Sequence, residues 1–464
     1  MSKSFAELGL TKELLDSLSL AGFVSPFPIQ EAVIPLALTG VDVIGQAKTG
    51  TGKTLGFGLP ILNSVLGHEM LGNGLPLALV VVPTRELGIQ VADELSKISK
   101  FEDNQGKSVK KVNITAIYGG RPMEPQIAEL KKGVDVVVGT PGRLLDLQRQ
   151  KALNLTEVKY LVLDEADEML DLGFLPDVEK IFTLTKNRTQ TMLFSATMPG
   201  DVVTLARKFL NQPTHIRAEV EDTGAIVSQI KQFVYRAHAM DKPELLAKIL
   251  QADGRGPTMI FCRTKRACQQ IADDMKERGF KTTAIHGDLG QGARERALED
   301  FKSLKRDILV ATDVAARGID IDGITHVINY QCPEDEKTYV HRIGRTARAG
   351  ASGTAITFVD WDELTRWGHI NQALALDFSE PKETYSSSEH LFSEIGIPKE
   401  VTGRLVPAQE KTPAGNQNRA TAKGSSRSRS RTRSGEDVRA RSKDEKTPSK
   451  RRERVRTKRV RSEH

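Results

Sequence analysis

Cysteine is scarce. Three residues in 464, Cys262, Cys268 and Cys332, supply neither a disulfide framework nor the paired spacing of a zinc site, which fits a reducing compartment. Long apolar runs are missing too. No stretch reaches the roughly 18 residues that a membrane-spanning helix needs, and the opening MSKSFAELGL has no apolar signal core. Hydrophobic residues make up 39% and aromatics 5%, which is lean for a chain folded throughout. The length exceeds one ordinary core, so two domains and an unfolded remainder are predicted.

The net charge of +7 is unevenly spread. Residues 403–464 carry 20 Lys/Arg against 7 Asp/Glu, which leaves 47 against 53 for residues 1–402. The body is mildly acidic and the tail strongly basic. The tail has no Phe, Trp or Tyr and contains SSRSRSRTRS and KRRERVRTKRVR. Such a segment buries too little apolar surface to offset its ordering entropy, so it is predicted to be disordered. Its density of Arg suits a nucleic acid; the alternative is a solvated tail that only aids solubility.

Between residues 35 and 360 one pattern repeats. A short β-rich apolar run meets a polar or glycine-rich turn and then a helical stretch: DVIG to QAKTGTGKT, LALVVV to PTREL, VDVVVG to TPGR, YLVL to DEAD, TMLF to SAT. The second half repeats it: TMIF to CRTK, TTAI to HGD, DILV to ATDVAARGID, HVINY to QCPE. Unbroken apolar runs alternating with helices predict parallel strands buried on both faces. Ligands of such sheets bind beyond the carboxyl ends of the strands, where the unusual residues sit.

The run YLVLDEADEML places Asp164, Glu165, Asp167 and Glu168 within five positions. Alone this reads equally as an acidic helix start, favoured by the helix dipole, or as a cation site. AKTGTGKT at 47–54 decides between them. Gly50 and Gly52 let the backbone curl its N–H groups around phosphate oxygens, and a helix N-terminus stands behind them. Ala47 occupies the first glycine position of the usual phosphate loop. Lys53 is then expected to reach the β- and γ-phosphates, Thr54 and Asp164 to hold Mg²⁺, and Glu165 to orient or deprotonate the attacking water. Asp167 is expected to bind within the protein, and Glu168 and Asp171 to lie on solvated helix surface. HRIGRTARAG at 341–350 is dense in Arg and suits a γ-phosphate contact from the second half, or else a basic surface helix on nucleic acid.

Taken in order, AKTGTGKT, PTREL, TPGR, DEAD, SAT, ATDVAARGID and HRIGRTARAG resemble the motifs of the DEAD-box RNA helicases over about residues 4–375. The resemblance implies an α/β chain of two tandem RecA-like parallel-sheet domains followed by the disordered basic C-terminal tail. It divides the chain into 1–31, an adenine-recognition segment; 32–213, the ATP-binding domain; 214–227, a linker; 228–375, the second domain; 376–402, an extension of unknown role; and 403–464, the tail. GFVSPFPIQ matches the adenine segment, with Gln30 as the base-reading amide and Phe5 and Phe23 beside it. The nucleotide set becomes Ala47, Lys48, Thr49, Gly50, Thr51, Gly52, Lys53, Thr54 and, at the ribose, Asp320. Ser195 and Thr197 resemble the residues that couple hydrolysis to strand separation. His341 matches a residue linking the domains, and Arg345 and Arg348 the γ-phosphate arginines.

For RNA the resemblance implies Pro83, Thr84, Arg85, Gly120, Thr140, Gly142 and Arg143 in the first domain. In the second it implies Arg263, Gly287, Asp288 and Thr312. Contacts of this kind read phosphate and 2′-hydroxyl rather than sequence. The expected activity is ATP hydrolysis on closing over single-stranded RNA, with local unwinding of short duplexes or remodelling of RNA–protein complexes. Mg²⁺, ribosomal or RNA-decay protein partners, a cytoplasmic setting and no membrane complete the expectation. Three positions depart from the family pattern: Phe27 stands for Thr between two prolines, Ala347 for Gly, and Lys48 where an uncharged residue or Arg is commoner. A DNA translocase of the same superfamily would need neither the adenine segment nor a 2′-OH preference. An RNA chaperone whose tail anneals strands would bind RNA without net unwinding.

Overall fold

A computed structural model of the chain describes residues 3–47, 50–68, 74–102, 108–217, 230–316, 319, 321, 323–346 and 353–407. The first half builds a sheet from β1 (Val43–Gln46), β2 (Ala78–Val81), β5 (Ile114–Ile117), β6 (Val136–Gly139), β7 (Tyr160–Leu163), β8 (Gln190–Ser195) and β9 (Thr214–Arg217). A small antiparallel pair, β3 (Lys100–Glu102) and β4 (Ser108–Lys111), stands apart from it. The sheet order is β5-β6-β2-β7-β8-β1-β9, and every pairing is parallel.

The second half repeats the design with β10 (Ile230–Arg236), β11 (Thr258–Cys262), β12 (Thr282–Ile285), β13 (Ile308–Thr312), β14 (His326–Asn329), β15 (Gly353–Val359) and β16 (Lys382–Glu383). The order is β12-β13-β11-β14-β15-β10-β16, again parallel throughout. These are the two tandem RecA-like parallel-sheet domains the motifs implied.

The apolar runs are unbroken because both faces of each sheet are covered. Along β2, Ala78 and Val80 join one core while Leu79 and Val81 join another on the opposite face. In β11, Ile260 and Cys262 divide from Met259 and Phe261 in the same way. An alternating strand would leave one of these faces polar.

Three boundaries differ from those expected. The segment assigned as linker, 214–227, opens with β9, whose Thr214–Arg217 pair with Val43–Gln46 of β1; residues 218–229 lie outside the described residues. The second domain does not stop at 375: Lys382 and Glu383 pair with Tyr235 and Arg236, and the helix Glu389–Ile395 buries Leu391 in the same core as Ile260. The tail begins later than 403, because the Gly403 carbonyl accepts from Arg278 Nη1 at 2.8 Å and Leu405 N donates to the Arg278 carbonyl at 2.8 Å. The basic run itself, from residue 408, lies outside the described residues. Among the described residues no helix is long and apolar enough to cross a membrane.

Candidate active site and RNA face

Parallel strands bring all their carboxyl ends to one edge, and strand order sorts what arrives there. In the first sheet β7, β8 and β1 are neighbours. They deliver DEAD, SAT and the glycine loop side by side, and Ala47 N donates to the Ser195 carbonyl at 3.0 Å. On the other flank, β5, β6 and β2 deliver Gly120, Thr140 with Gly142 and Arg143, and Pro83 to Arg85. In the second sheet β12, β13 and β11 are likewise neighbours, and they present Gly287 and Asp288, Thr312 and Arg263.

Two glycines of the loop are left-handed. Gly50 and Gly52 adopt φ of 84° and 82°, a left-handed conformation that costs glycine little and other residues more. Gly52 caps the helix Lys53–Leu66. A side chain there would also overlap the Gln30 amide and the Phe27 ring. Gln30 is buried and clamped: its Oε1 accepts from Phe27 N at 2.9 Å and its Nε2 donates to the Gly52 carbonyl at 2.8 Å. The segment ending at Gln30 is thereby tied to the glycine loop. Phe5 is buried in the core of that half, Phe23 packs against it half-buried, and Phe27 is exposed.

Lys53 is buried, and its Nζ makes no hydrogen bond among the described residues. Its recorded ion pair is Asp164 Oδ1, at 4.0 Å. Asp164 follows β7, buried, with its N donating to the Val81 carbonyl at 3.0 Å. Burial is the main force pushing its carboxyl up to about 7; Lys53 opposes the rise, while Glu165 and Asp167 add to it. A dication alongside would restore the carboxylate. Glu165 sits at φ 54° and is buried, a strained conformation of the kind that persists at functional sites. Thr54 is hydrogen-bonded to Glu94, whose carboxyl is pushed up by burial.

Asp167 binds inward, as expected. Its Oδ2 accepts from Thr197 N at 2.8 Å and Thr197 Oγ1 at 2.7 Å, and its own N donates to Ser195 Oγ at 3.2 Å. Ser195 Oγ in turn donates to the Thr197 carbonyl at 2.7 Å. This lattice joins the end of β7 to the end of β8. Glu168 departs from expectation: it is buried, because the helix Ala166–Asp171 turns that face toward the protein, whereas Asp171 is exposed.

Residues 27–205 match the family model for the DEAD/DEAH box helicase, and residues 241–350 match the helicase conserved C-terminal domain. The chain is 44% identical over 369 residues to the DEAD-box ATP-dependent RNA helicase CshA of Geobacillus kaustophilus, covering 80% of this chain and 76% of that protein. It is 45% identical over 360 residues to CshA of Listeria monocytogenes, covering 78% and 66%. The chain belongs to the DEAD-box ATP-dependent RNA helicases. Among solved structures it resembles S. cerevisiae Dbp5 bound to RNA and ADP BeF3, at 31% identity and a TM-score of 0.70, covering 85% of this chain and 98% of that one. It also resembles Mss116p bound to ssRNA and AMP-PNP, at 29% identity and a TM-score of 0.71, covering 85% and 82%.

For a DEAD-box helicase the remaining residues fall as follows. Thr84 caps the helix Arg85–Lys97, its Oγ1 accepting from Leu87 N at 3.3 Å. Gly120 at φ 79° leaves room for the Arg85 guanidinium, which a side chain there would strike. Pro83 and Thr140 are buried, Gly142 is half-buried, and Arg143 donates twice to the Arg121 carbonyl at 3.0 Å. Gly287 and Asp288 are exposed, with Asp288 ion-paired to Lys265, while Thr312 is buried at the end of β13. Thr51 is half-buried; His341 is exposed near the end of the helix Glu336–Ile343. Arg345 Nη1 donates to the Ile319 carbonyl at 2.7 Å. Lys48, Thr49, Asp320, Ala347 and Arg348 lie outside the described residues.

Sequence reasoning missed several partners. Arg85 Nη1 donates to Gln291 Oε1 at 3.2 Å, and Arg294 Nη2 pairs with Glu86 Oε1 at 2.8 Å, joining one half to the other. Gln291 and Arg294 lie three apart on one helix, a spacing that puts them on one face without saying what that face meets. Arg342 is buried and grips Asp313 with two hydrogen bonds, of 2.6 and 2.7 Å. The motif thus spends one arginine on holding the second domain together.

Proposed function

We propose that the chain hydrolyses ATP as its two halves close over single-stranded RNA, and that closure melts short duplexes locally or remodels RNA–protein complexes. The reading is carried by Lys53: a buried, unbonded cation above a loop of left-handed glycines, 4.0 Å from a buried carboxylate. In this reading Lys53 draws the β- and γ-phosphates, Gln30 reads adenine, Asp320 meets the ribose, and Arg345 and Arg348 reach the γ-phosphate. Glu165 orients the attacking water and takes its proton.

The oxygen donors of Thr54 and Asp164 suit Mg²⁺, which ordinarily keeps waters and substrate phosphates as further ligands. Among the described residues no group of three metal-ligating side chains occurs, and such an ion needs none. When bound, it supplies charge neutralisation at the phosphates and lifts the repulsion among the clustered carboxylates. Asp167 holds Thr197 and links SAT to DEAD, so a change at the phosphates can move the end of β8.

On the RNA side, Arg85, Gly120, Thr140, Gly142 and Arg143 face one stretch of backbone, and Arg263, Gly287, Asp288 and Thr312 another. Disrupting about three base-pair steps costs roughly 4–5 kcal/mol at about 1.4 each. A few charge-assisted contacts at roughly 1.5–3 kcal/mol match that. Hydrolysis then reopens the cleft. The basic segment tethers RNA without reading sequence, and ribosomal or RNA-decay proteins in a cytoplasmic setting are fitting partners.

The test is RNA release from Glu165→Gln and parent protein with ATP present. Slow release from the variant, with ATP and RNA still bound, is expected; equal release rates refute the scheme.

A further inference from the structure

The helix Pro28–Leu38 begins on an unfavourable residue. Its N-cap is Phe27, at φ −78° and ψ 159°, the extended backbone from which Ser, Thr, Asp or Asn caps a first turn with a side-chain oxygen. Phenylalanine has no such oxygen, and this one is also 54% exposed. The position gives up both a cap and the burial of a ring, and local rules of this kind are broken most often at functional sites. The ring nevertheless has a fixed neighbour. A Cβ on Gly52 would lie 2.8 Å from Phe27 Cδ2, so the ring rests against the glycine that caps the helix Lys53–Leu66.

The Gln30 amide meets the same two residues. Its Oε1 accepts from Phe27 N at 2.9 Å and its Nε2 donates to the Gly52 carbonyl at 2.8 Å. An amide oxygen has two lone pairs and an amide nitrogen two protons. These contacts use one of each and leave one of each. The remaining acceptor and donor are the pair that adenine N6 and N7 require. An open aromatic surface stands beside that amide on Phe27. The other two aromatics of residues 1–31 offer less: Phe5 is buried in the core and Phe23 is half-buried.

We propose that Phe27 is a nucleotide-binding residue whose exposed ring stacks on the base that Gln30 reads at its edge. The inference deepens the ATP reading and rests on Gln30 being the base-reading amide.

The two residues divide the task. Every base has a π-face, so stacking is blind to base identity, whereas hydrogen bonds to the base edge are not. Phe27 adds affinity for any nucleotide, and Gln30 chooses among them. Threonine, the residue of the family pattern at this position, does the reverse: it caps the helix and offers no ring. The chain has exchanged helix stability for a surface at the nucleotide.

Phe27→Thr is the test, because its two consequences have opposite signs. In the full chain the regained cap should raise the melting temperature by about 2–4 °C. Calorimetric titration with ADP and with GDP, each with Mg²⁺, should show both weakened by the same factor, about tenfold, within the range of a base–aromatic stack. Tripolyphosphate, which has no base, should bind parent and variant equally, and Phe27→Tyr should keep the parent's affinities. Gln30→Ala, measured alongside, should bring the ADP and GDP affinities together. If Phe27→Thr binds ADP as the parent does, or weakens tripolyphosphate as much as ADP, the ring does not stack on the base and the proposal is overturned. If Gln30→Ala keeps the parent's ratio of ADP to GDP affinity, the adenine reading beneath the proposal fails.

Discussion

Arg294→Ala separates a contact that holds the molecule together from one that makes it work. The Arg294–Glu86 pair bridges the two halves at 2.8 Å, with side chains only 12% and 7% exposed. Removing one partner of a buried pair strands the other charge and typically costs 3–5 kcal/mol. Arg294 keeps some solvent, so about 3 kcal/mol is reasonable. That penalty vanishes once the halves part and Glu86 is hydrated. It falls on the population of the touching arrangement, where 1.4 kcal/mol is a factor of ten. If RNA-stimulated hydrolysis needs that arrangement, Arg294→Ala lowers its rate about a hundredfold, while each domain's melting moves little. The charge reversal Glu86→Arg with Arg294→Glu restores part of the rate. A variant that melts several degrees lower and hydrolyses ATP normally with RNA would refute the reasoning.

Lys53→Ala should abolish nucleotide binding and hydrolysis, read by nucleotide titration and phosphate release. Asp167→Asn weakens two hydrogen bonds that hold Thr197, so a loss of about 1–3 kcal/mol should appear in thermal melting, with RNA stimulation reduced further than basal turnover. His326 is buried, and burial pulls its pKa down to about 4 from 6.5, helped by Arg255. Between those values the unfolded chain binds a proton that the folded chain does not. Stability from this residue is therefore complete above pH 6.5 and falls as pH drops toward 4, by about 3 kcal/mol at most. His326→Gln should flatten denaturant midpoints across that window; an unchanged pH profile would contradict the assignment. For the basic segment, if about 5 of its charges meet phosphates, log affinity for single strands falls against log salt with a slope near −3.5. A chain ending at residue 407 should lose that part of the slope.

The strands followed by conspicuous turns were legible because each carries an unbroken apolar run. YLVL became Tyr160–Leu163 and TTAI became Thr282–Ile285 without shift. The strands Ile230–Arg236 and Gly353–Val359 were not legible. IKQFVYR and GTAITFV mix polar residues into the run, and only their sheet partners make them strands. The inward hydrogen bonds of Asp167 could be expected from the motif alone, since a strand end followed by a helix constrains which way neighbouring carboxylates point. The placement of Glu168, Glu94 and Glu363 could not. The surroundings of Glu94 and Glu363 come from Thr54, Arg263 and Lys242, residues about 40 or more positions away. The Arg294–Glu86 pair spans still more chain, and neither residue's neighbours announce it.

The most direct measurement is steady-state ATP hydrolysis with no nucleic acid, with single-stranded RNA and with sequence-matched DNA, for the full chain and for residues 1–407. The account predicts strong stimulation by RNA and little by DNA in both proteins. Equal stimulation by DNA, or none by RNA, would contradict it.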